Sequence, residues 1–232
     1  MISYGGIIRG DTTLKKIALV FTGDSFGDGG KFIVKTLKKE NTHGSFFLTG
    51  NFYRNKDFKK TIGQLIKNGN YMGSHSDKHI LYCDWVKRDS LLVTQKQFTD
   101  DLNNAYKELA KWGIEKSQAH YYLPAFEWYN DSISAWTKDL GLQLVNFTPG
   151  TYSNADYTFP EMGKRYFSSK AIMDSVLQYE VKSSNGLNGF ILLVHIGTDP
   201  RRTDKFYKHL PELIHTLKNR GYEFERIDEL LN

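Results

Sequence analysis

The chain has 232 residues, 40% hydrophobic and 25% charged, which is ordinary globular usage and excludes collagen-like and disordered classes. Its length is about one and a half times the roughly 150 residues of an average domain, so one large α/β domain over residues 1–232 is expected rather than two small ones. The 31 Lys and Arg against 26 Asp and Glu give a net charge of +5 with no dense basic block, so no nucleic-acid partner is expected. No apolar run approaches the roughly 18 residues that cross a bilayer, and residues 1–10 carry no signal-peptide pattern, so neither a membrane span nor a leader is expected in the chain as given. Cys83 is the single cysteine, which rules out an internal disulfide and a cysteine-rich zinc cage.

In chain order, residues 1–15 are polar with glycines and are expected to wrap the outside. Short apolar or aromatic runs bounded by turn residues then predict strands over 17–21, 45–49, 71–74, 121–124, 142–147, 190–195 and 222–227. Between them, apolar residues spaced by three and four predict helices. They are Phe58, Ile62, Leu65 and Ile66; then Phe98, Leu102, Tyr106 and Leu109; then Phe206, Leu210, Leu213, Ile214 and Leu217. Thr94 and Gln97 make a capping box, while Gly69, Gly113, Gly141 and Gly221 stand where helices end in a left-handed residue. Strand and helix alternate without a linker, which predicts one parallel sheet closed or nearly closed into a barrel, with an open doubly wound sheet as the competitor.

In a parallel βα barrel the functional side chains collect at the C-terminal ends of the strands. Asp24 follows the first predicted strand, His75 and His79 the third, Glu127 the fourth, and His195 ends the sixth. His75 and His79, four apart, suit a divalent metal of the zinc type when a carboxylate such as Asp24 completes the set and leaves a position for water. As a bare spacing, the pair is equally compatible with two surface histidines on a turn. His195 emerges from the buried run 191–194, and a core histidine satisfied by hydrogen bonds is the plain alternative. Trp85, Trp128, Tyr129, Tyr152 and Tyr157 fall in loops near that face, where flat rings suit sugars, although ordinary loop packing serves any one of them equally. Arg201, Arg202 and Lys205 follow the His195 loop as a charged turn that could meet an anionic polysaccharide.

These residues, over about 17–231, resemble the polysaccharide deacetylases, also called the NodB homology domain or carbohydrate esterase family four. Residues 17–24 are similar to that family's first strand and TFDD motif, and Ser45-Phe46-Phe47-Leu48-Thr49-Gly50 to its second strand. The run from Asn68 to His79, ending Gly73-Ser74-His75-Ser76-Asp77-Lys78-His79, is similar to GHEIGSHTxxH. Leu192-Leu193-Val194-His195 is similar to the late LLxH motif, and Gly221-Tyr222-Glu223-Phe224 to the closing strand. The resemblance implies a distorted (β/α)7 barrel and a divalent metal, zinc foremost, held by Asp24, His75 and His79. It also implies hydrolysis of N- or O-acetyl groups on a poly- or oligosaccharide, with His195 as the acid and a backbone amide near Phe126 helping to hold the oxyanion. Work outside the cytoplasm is implied too, and a monomer is expected.

Two positions depart from the family pattern. Gly23 stands where the catalytic base aspartate would be, and Leu123, in Tyr122-Leu123-Pro124-Ala125-Phe126-Glu127, where the arginine that orients it would be. An arginine that had lost its carboxylate would be a costly unpaired charge, so the two losses belong together. Glu127 is the first candidate to replace the base, with Asp28 and Asp156 behind it; Asp24 keeps its place among the catalytic residues. Asp156 alternatively matches the motif that orients the acid histidine. Phe126, Trp128, Trp85 and Tyr152 are the expected sugar contacts. The rival readings are a barrel that retains metal and binds carbohydrate without turnover, and a hydrolase of another amide or ester.

Overall fold

The computed structural model describes residues 1–232. A small antiparallel hairpin, β1 (Ile2–Ser3) and β2 (Gly6–Ile7), precedes the first long strand, β3 (Lys16–Gly23). There follow α1 (Gly30–Lys39), β4 (Ser45–Leu48), α2 (Gly50–Arg54), α3 (Lys59–Lys67), β5 (Tyr71–Ser74) and α4 (Gln95–Lys111). The remainder is β6 (Tyr121–Tyr122), α5 (Asp131–Asp139), β7 (Gln143–Leu144), α6 (Ser169–Lys182), β8 (Phe190–His195), α7 (Leu210–Asn219), β9 (Glu223–Glu225) and α8 (Ile227–Leu230). Every pairing from β3 to β9 is parallel, in the order β7-β6-β5-β4-β3-β8. The architecture is the expected distorted barrel, a curled parallel sheet with its helices outside.

The register shows where the distortion lies. Along one edge of β3, Val20–Gly23 pairs with β4 while Lys16–Ala18 pairs with β9, so two strands share an edge that an ordinary barrel gives to one. Between β7 and β8 there is no direct ladder. The N-terminal segment closes this seam: Ile7 bridges Val145 and Arg9 bridges Phe190.

Side chains alternate between two apolar layers, as the pleat requires. Ile17, Leu19 and Phe21 of β3, with Phe190, Leu192 and Val194 of β8, pack against helix residues such as Ile33, Leu65, Leu102 and Leu213. Ala18 and Val20, with Ile191, Leu193, Phe47, Tyr121 and Leu123, fill the barrel interior. The expected capping box at Thr94 and Gln97 is formed. Gly69, Gly113, Gly141 and Gly221 all take positive φ at the ends of their helices.

Candidate active site

The interior parity places the site. On β3 the inward positions 18 and 20 lead to Thr22 and then Asp24; on β5 Tyr71 leads to Gly73 and then His75; on β8 Ile191 and Leu193 lead to His195. All three emerge at the C-terminal mouth, in a cleft of about 880 Å³ that they line with Thr22, His79, Glu127 and aromatic side chains.

Asp24 is fixed by three donors: Ser25 Oγ on Oδ2 at 2.7 Å, Thr49 Oγ1 on Oδ1 at 2.8 Å and Asn51 Nδ2 on Oδ1 at 3.2 Å. Partial burial would raise its pKa, but these hydrogen bonds and the charge of His79 carry it below the usual carboxylate value. His75 Nδ1 lies 2.9 Å from the carbonyl oxygen of Leu123, which fixes Nδ1 as the donor and leaves the Nε2 lone pair free, the way metal-binding histidines are oriented. Burial first, and then the neighbouring His79, push His75 well below its ordinary value. Burial lowers His79 as well, against the pull of Asp24. The two imidazoles, 5.1 Å between ring centres, are brought together by an irregular loop and not by a helical turn. Ser76 and His79 both have positive φ, and buried Asp101 accepts from the backbone N–H groups of Asp77 and Lys78.

The donor set therefore has the chemistry of a zinc-type site, two neutral imidazoles and an ionised carboxylate, although no three such side chains stand close enough to make a preformed cage. His75 Nε2 faces Glu127 Oε1 at 3.6 Å. Glu127 is mostly buried, its side chain 13% exposed, and its buried Oε1 has no hydrogen-bond partner. Desolvation pushes its pKa up to about 7, with the charge of His195 pulling against that and Asp156 adding to it. Its backbone and that of Phe126 are both left-handed, at φ 53° and 60°, an uncommon state for side-chain-bearing residues and one that marks functional turns. Asn146 Nδ2 donates to the Glu127 carbonyl at 2.7 Å and holds this turn.

His195 Nδ1 is bonded to Asp156 Oδ1 at 2.6 Å, and Asp156 Oδ2 accepts the His195 backbone N–H at 2.9 Å. Burial would lower the imidazole, but Asp156, and then Glu127, carry it above its ordinary value. Asp156 is thereby committed to His195 and is not a spare base. Asp28, the other reserve carboxylate, accepts from Thr198 N, Tyr207 Oη and Lys205 Nζ and joins two loops. Its network belongs to the scaffold.

Of the expected sugar contacts, Trp85, Phe126 and Trp128 line the cleft as a connected aromatic wall, with Phe126 against His79 at 4.3 Å. Tyr152 does not join them; it stacks on Phe167 at 4.7 Å outside the cleft. Tyr129 is buried, with its hydroxyl on the Ser3 carbonyl. Sequence reasoning missed Thr49 and Asn51, which hold Asp24, and also Phe159, Met162 and Arg165, which line the wall beyond His195. These three come from irregular turns without periodicity, so pattern reading had no signal for them.

The Gly23 and Leu123 positions are closed. A Cβ on Gly23 would lie 2.5 Å from Ile196 Cγ2 and 3.1 Å from Leu48 Cδ2. Leu123 is fully buried in the apolar interior.

The polysaccharide deacetylase family model matches residues 9–145. The chain is 27% identical over 231 residues to the peptidoglycan-N-acetylmuramic acid deacetylase PdaA of Bacillus subtilis, covering 98% of this chain and 76% of that protein. The solved structure of PdaA, a family 4 carbohydrate esterase, superposes with a TM-score of 0.70 at 26% identity, over 98% of this chain and 85% of that one. A family 4 pseudoenzyme from Bacillus anthracis, BA3943, superposes with a TM-score of 0.75 at 18% identity, over 100% of this chain and 70% of that one.

Proposed function

Because the chain belongs to the polysaccharide deacetylase family, we propose that it is a metal-dependent hydrolase that removes N- or O-acetyl groups from a poly- or oligosaccharide. The observation that carries this reading is the convergence of an oriented histidine, a carboxylate whose buried Oε1 is unpartnered and a two-imidazole, one-carboxylate donor set in one cleft. Asp24, His75 and His79 would hold the divalent ion, zinc foremost, which when bound supplies Lewis acidity to the acetyl carbonyl. Glu127, with Oε1 free, accepts a proton from the attacking water. His195, whose Nδ1 is engaged by Asp156, gives the proton at Nε2 to the departing amine or hydroxyl as the bond to the acetyl carbon breaks. Trp85, Phe126 and Trp128 offer flat surfaces to the sugar. The name of PdaA points to a bacterial wall glycan as the substrate class, and such a substrate would put the work outside the cytoplasm.

One observation favours a second reading. Closed packing at Gly23 and an apolar Leu123 suit a barrel that binds carbohydrate without turnover. Acetate release decides between them, measured with zinc-loaded protein on acetylated oligosaccharides and an aryl acetate beside a His75→Ala control. Release that depends on His75 is expected; no release above the control with metal confirmed bound would leave the binding domain standing.

A further inference from the structure

Away from the cleft, two helices on the outside of the barrel carry an unbalanced charge. Lys31, Lys35, Lys38 and Lys39 of α1 and Lys59, Lys60 and Lys67 of α3 make seven lysines, with no carboxylate in either helix, against a net charge of +5 for the whole chain. Neither run is dense in sequence, but folding lays the two helices side by side, with Gly30 so close to Thr61 that a Cβ on the glycine would lie 2.6 Å from Thr61 Cγ2. All seven lysines are exposed and none is in an ion pair, whereas on α4 and α6 Lys96 pairs with Asp100, Lys111 with Glu108 and Lys170 with Asp174. The nearest carboxylates in sequence, Glu40 and Asp57, lie just beyond the helix ends, Asp57 beside a further exposed lysine, Lys56.

This arrangement destabilises the helices that bear it. Lys35 has a like charge four residues away on either side, at Lys31 and Lys39, and another three away at Lys38, spacings at which like charges face each other. Lys31, Lys59 and Lys60 stand in first helical turns, where the macrodipole favours carboxylates over cations. With no carboxylate to pair, these charges give the fold nothing in return. We infer that the α1–α3 face is a docking surface for a linear polymer of phosphate-bearing units. Phosphates repeated along a chain match rows of compact, rotatable ammonium groups, and the counterions released on contact supply affinity. A groove of about 600 Å³, lined by Ser25, Phe26, Lys31, Phe58, Thr61 and Thr198, leads from this face to the cleft and shares Ser25, Phe26 and Thr198 with it, so one polymer can lie along both. The two helices hold no arginine on this face, and their one aromatic ring, Phe32, lies against Tyr207 at 5.9 Å, which leaves nucleobases no platform to stack on. A lipid-binding helix turns its apolar face to the bilayer, but here Ile33, Val34, Leu37, Ile62 and Leu65 are buried in the barrel wall.

The test measures binding of labelled long-chain inorganic polyphosphate to the whole chain by fluorescence anisotropy. The parent is expected to bind, and to weaken by about tenfold or more between about 50 and about 200 mM salt. Lys31→Gln, Lys35→Gln, Lys59→Gln and Lys60→Gln combined should weaken binding by about tenfold or more, while Lys96→Gln, Lys107→Gln, Lys111→Gln and Lys170→Gln combined, which remove the same charge elsewhere, should change it by about twofold or less. Because repulsion is relieved, the first variant should melt no lower than the parent; a lower melting point would mean that these lysines serve the fold and would overturn the inference. No binding by the parent, or an equal loss in both variants, overturns it too. So does tighter binding of single-stranded DNA of matched charge, or of phosphatidylglycerol vesicles, that is lost in the first variant, since the face would then belong to another partner. No turnover is read, so the outcome is independent of the deacetylase reading.

Discussion

Gly23 gives up a side chain at the position where the family resemblance puts the base, and the surroundings have closed over it. With Ile196, Leu48 and Phe52 all within 3.2 Å of an added Cβ, Gly23→Asp is an overpacking change expected to cost about 1–3 kcal/mol and to leave turnover no higher. A faster Gly23→Asp enzyme of undiminished thermal stability would show the position to be open. Glu127 carries the opposite signature. Held in metal-free protein with its pKa raised from 4.5 to about 7, it keeps its proton in the folded state over a range where the unfolded chain has already lost it. Stability therefore falls as pH rises from about 4.5 to about 7, by up to about 3 kcal/mol. Glu127→Gln should gain stability over the parent above pH 7, gain little at pH 4, and lose roughly 10²- to 10⁴-fold in turnover if the carboxylate is the base. Melting curves of the metal-free proteins at the two pH values check the first part, and a pH-independent difference would contradict it.

Elements repeat the contrast between regular and irregular signals. β8 is legible to the residue because a parallel strand buried on both faces reads as an unbroken apolar run, and β5, Tyr71–Ser74, because its short run is bounded by turn residues. β6 and β7 are shorter than their runs 121–124 and 142–147 suggest. Pro124 has no N–H to give to a ladder, and Asn146 donates its backbone N–H to Ile7 of the N-terminal segment instead. Asp24, His75 and His195 were legible because strand ends and parity dictate their place. In the turn of residues 153–165 only Asp156 and Tyr157 were legible, since 3₁₀ turns carry no period; Phe159, Met162 and Arg165 were not, yet the turn brings Tyr157 and Arg165 to the cleft and Asp156 behind His195. Arg202 clamps that segment from beneath. Arg202→Met leaves the carbonyls of Thr158 and Phe167 without their donor, an expected cost of about 1.5–3 kcal/mol. Limited proteolysis should then cut first within residues 157–167; a parent-like cleavage pattern would assign the clamp no role.

The whole molecule is held shut by residues far apart in sequence. Arg9 donates from Nε to Asn188 O at 2.8 Å and from Nη2 to Gly186 O at 2.9 Å, and its guanidinium lies over Phe190. The hairpin before it could not be read from two-residue strands. Arg9→Ala is expected to lower stability by about 2 kcal/mol, or roughly 4–8 °C in Tm for a chain of this size, with faster amide exchange on both sides of the seam. Unchanged exchange in residues 142–148 and 190–195 would mean the seam holds without it.

β3, which pairs with β9 over residues 16–18 and with β8 over residues 17–22, also sets an order of events. β4 is made soon after β3, but β8 and β9 come last, so during synthesis the other pairings of β3 must wait for residues beyond 190. Contacts between such distant parts of a chain are slow to form. The open pairings of β3 therefore stay exposed until β8 and β9 have been made and have found it.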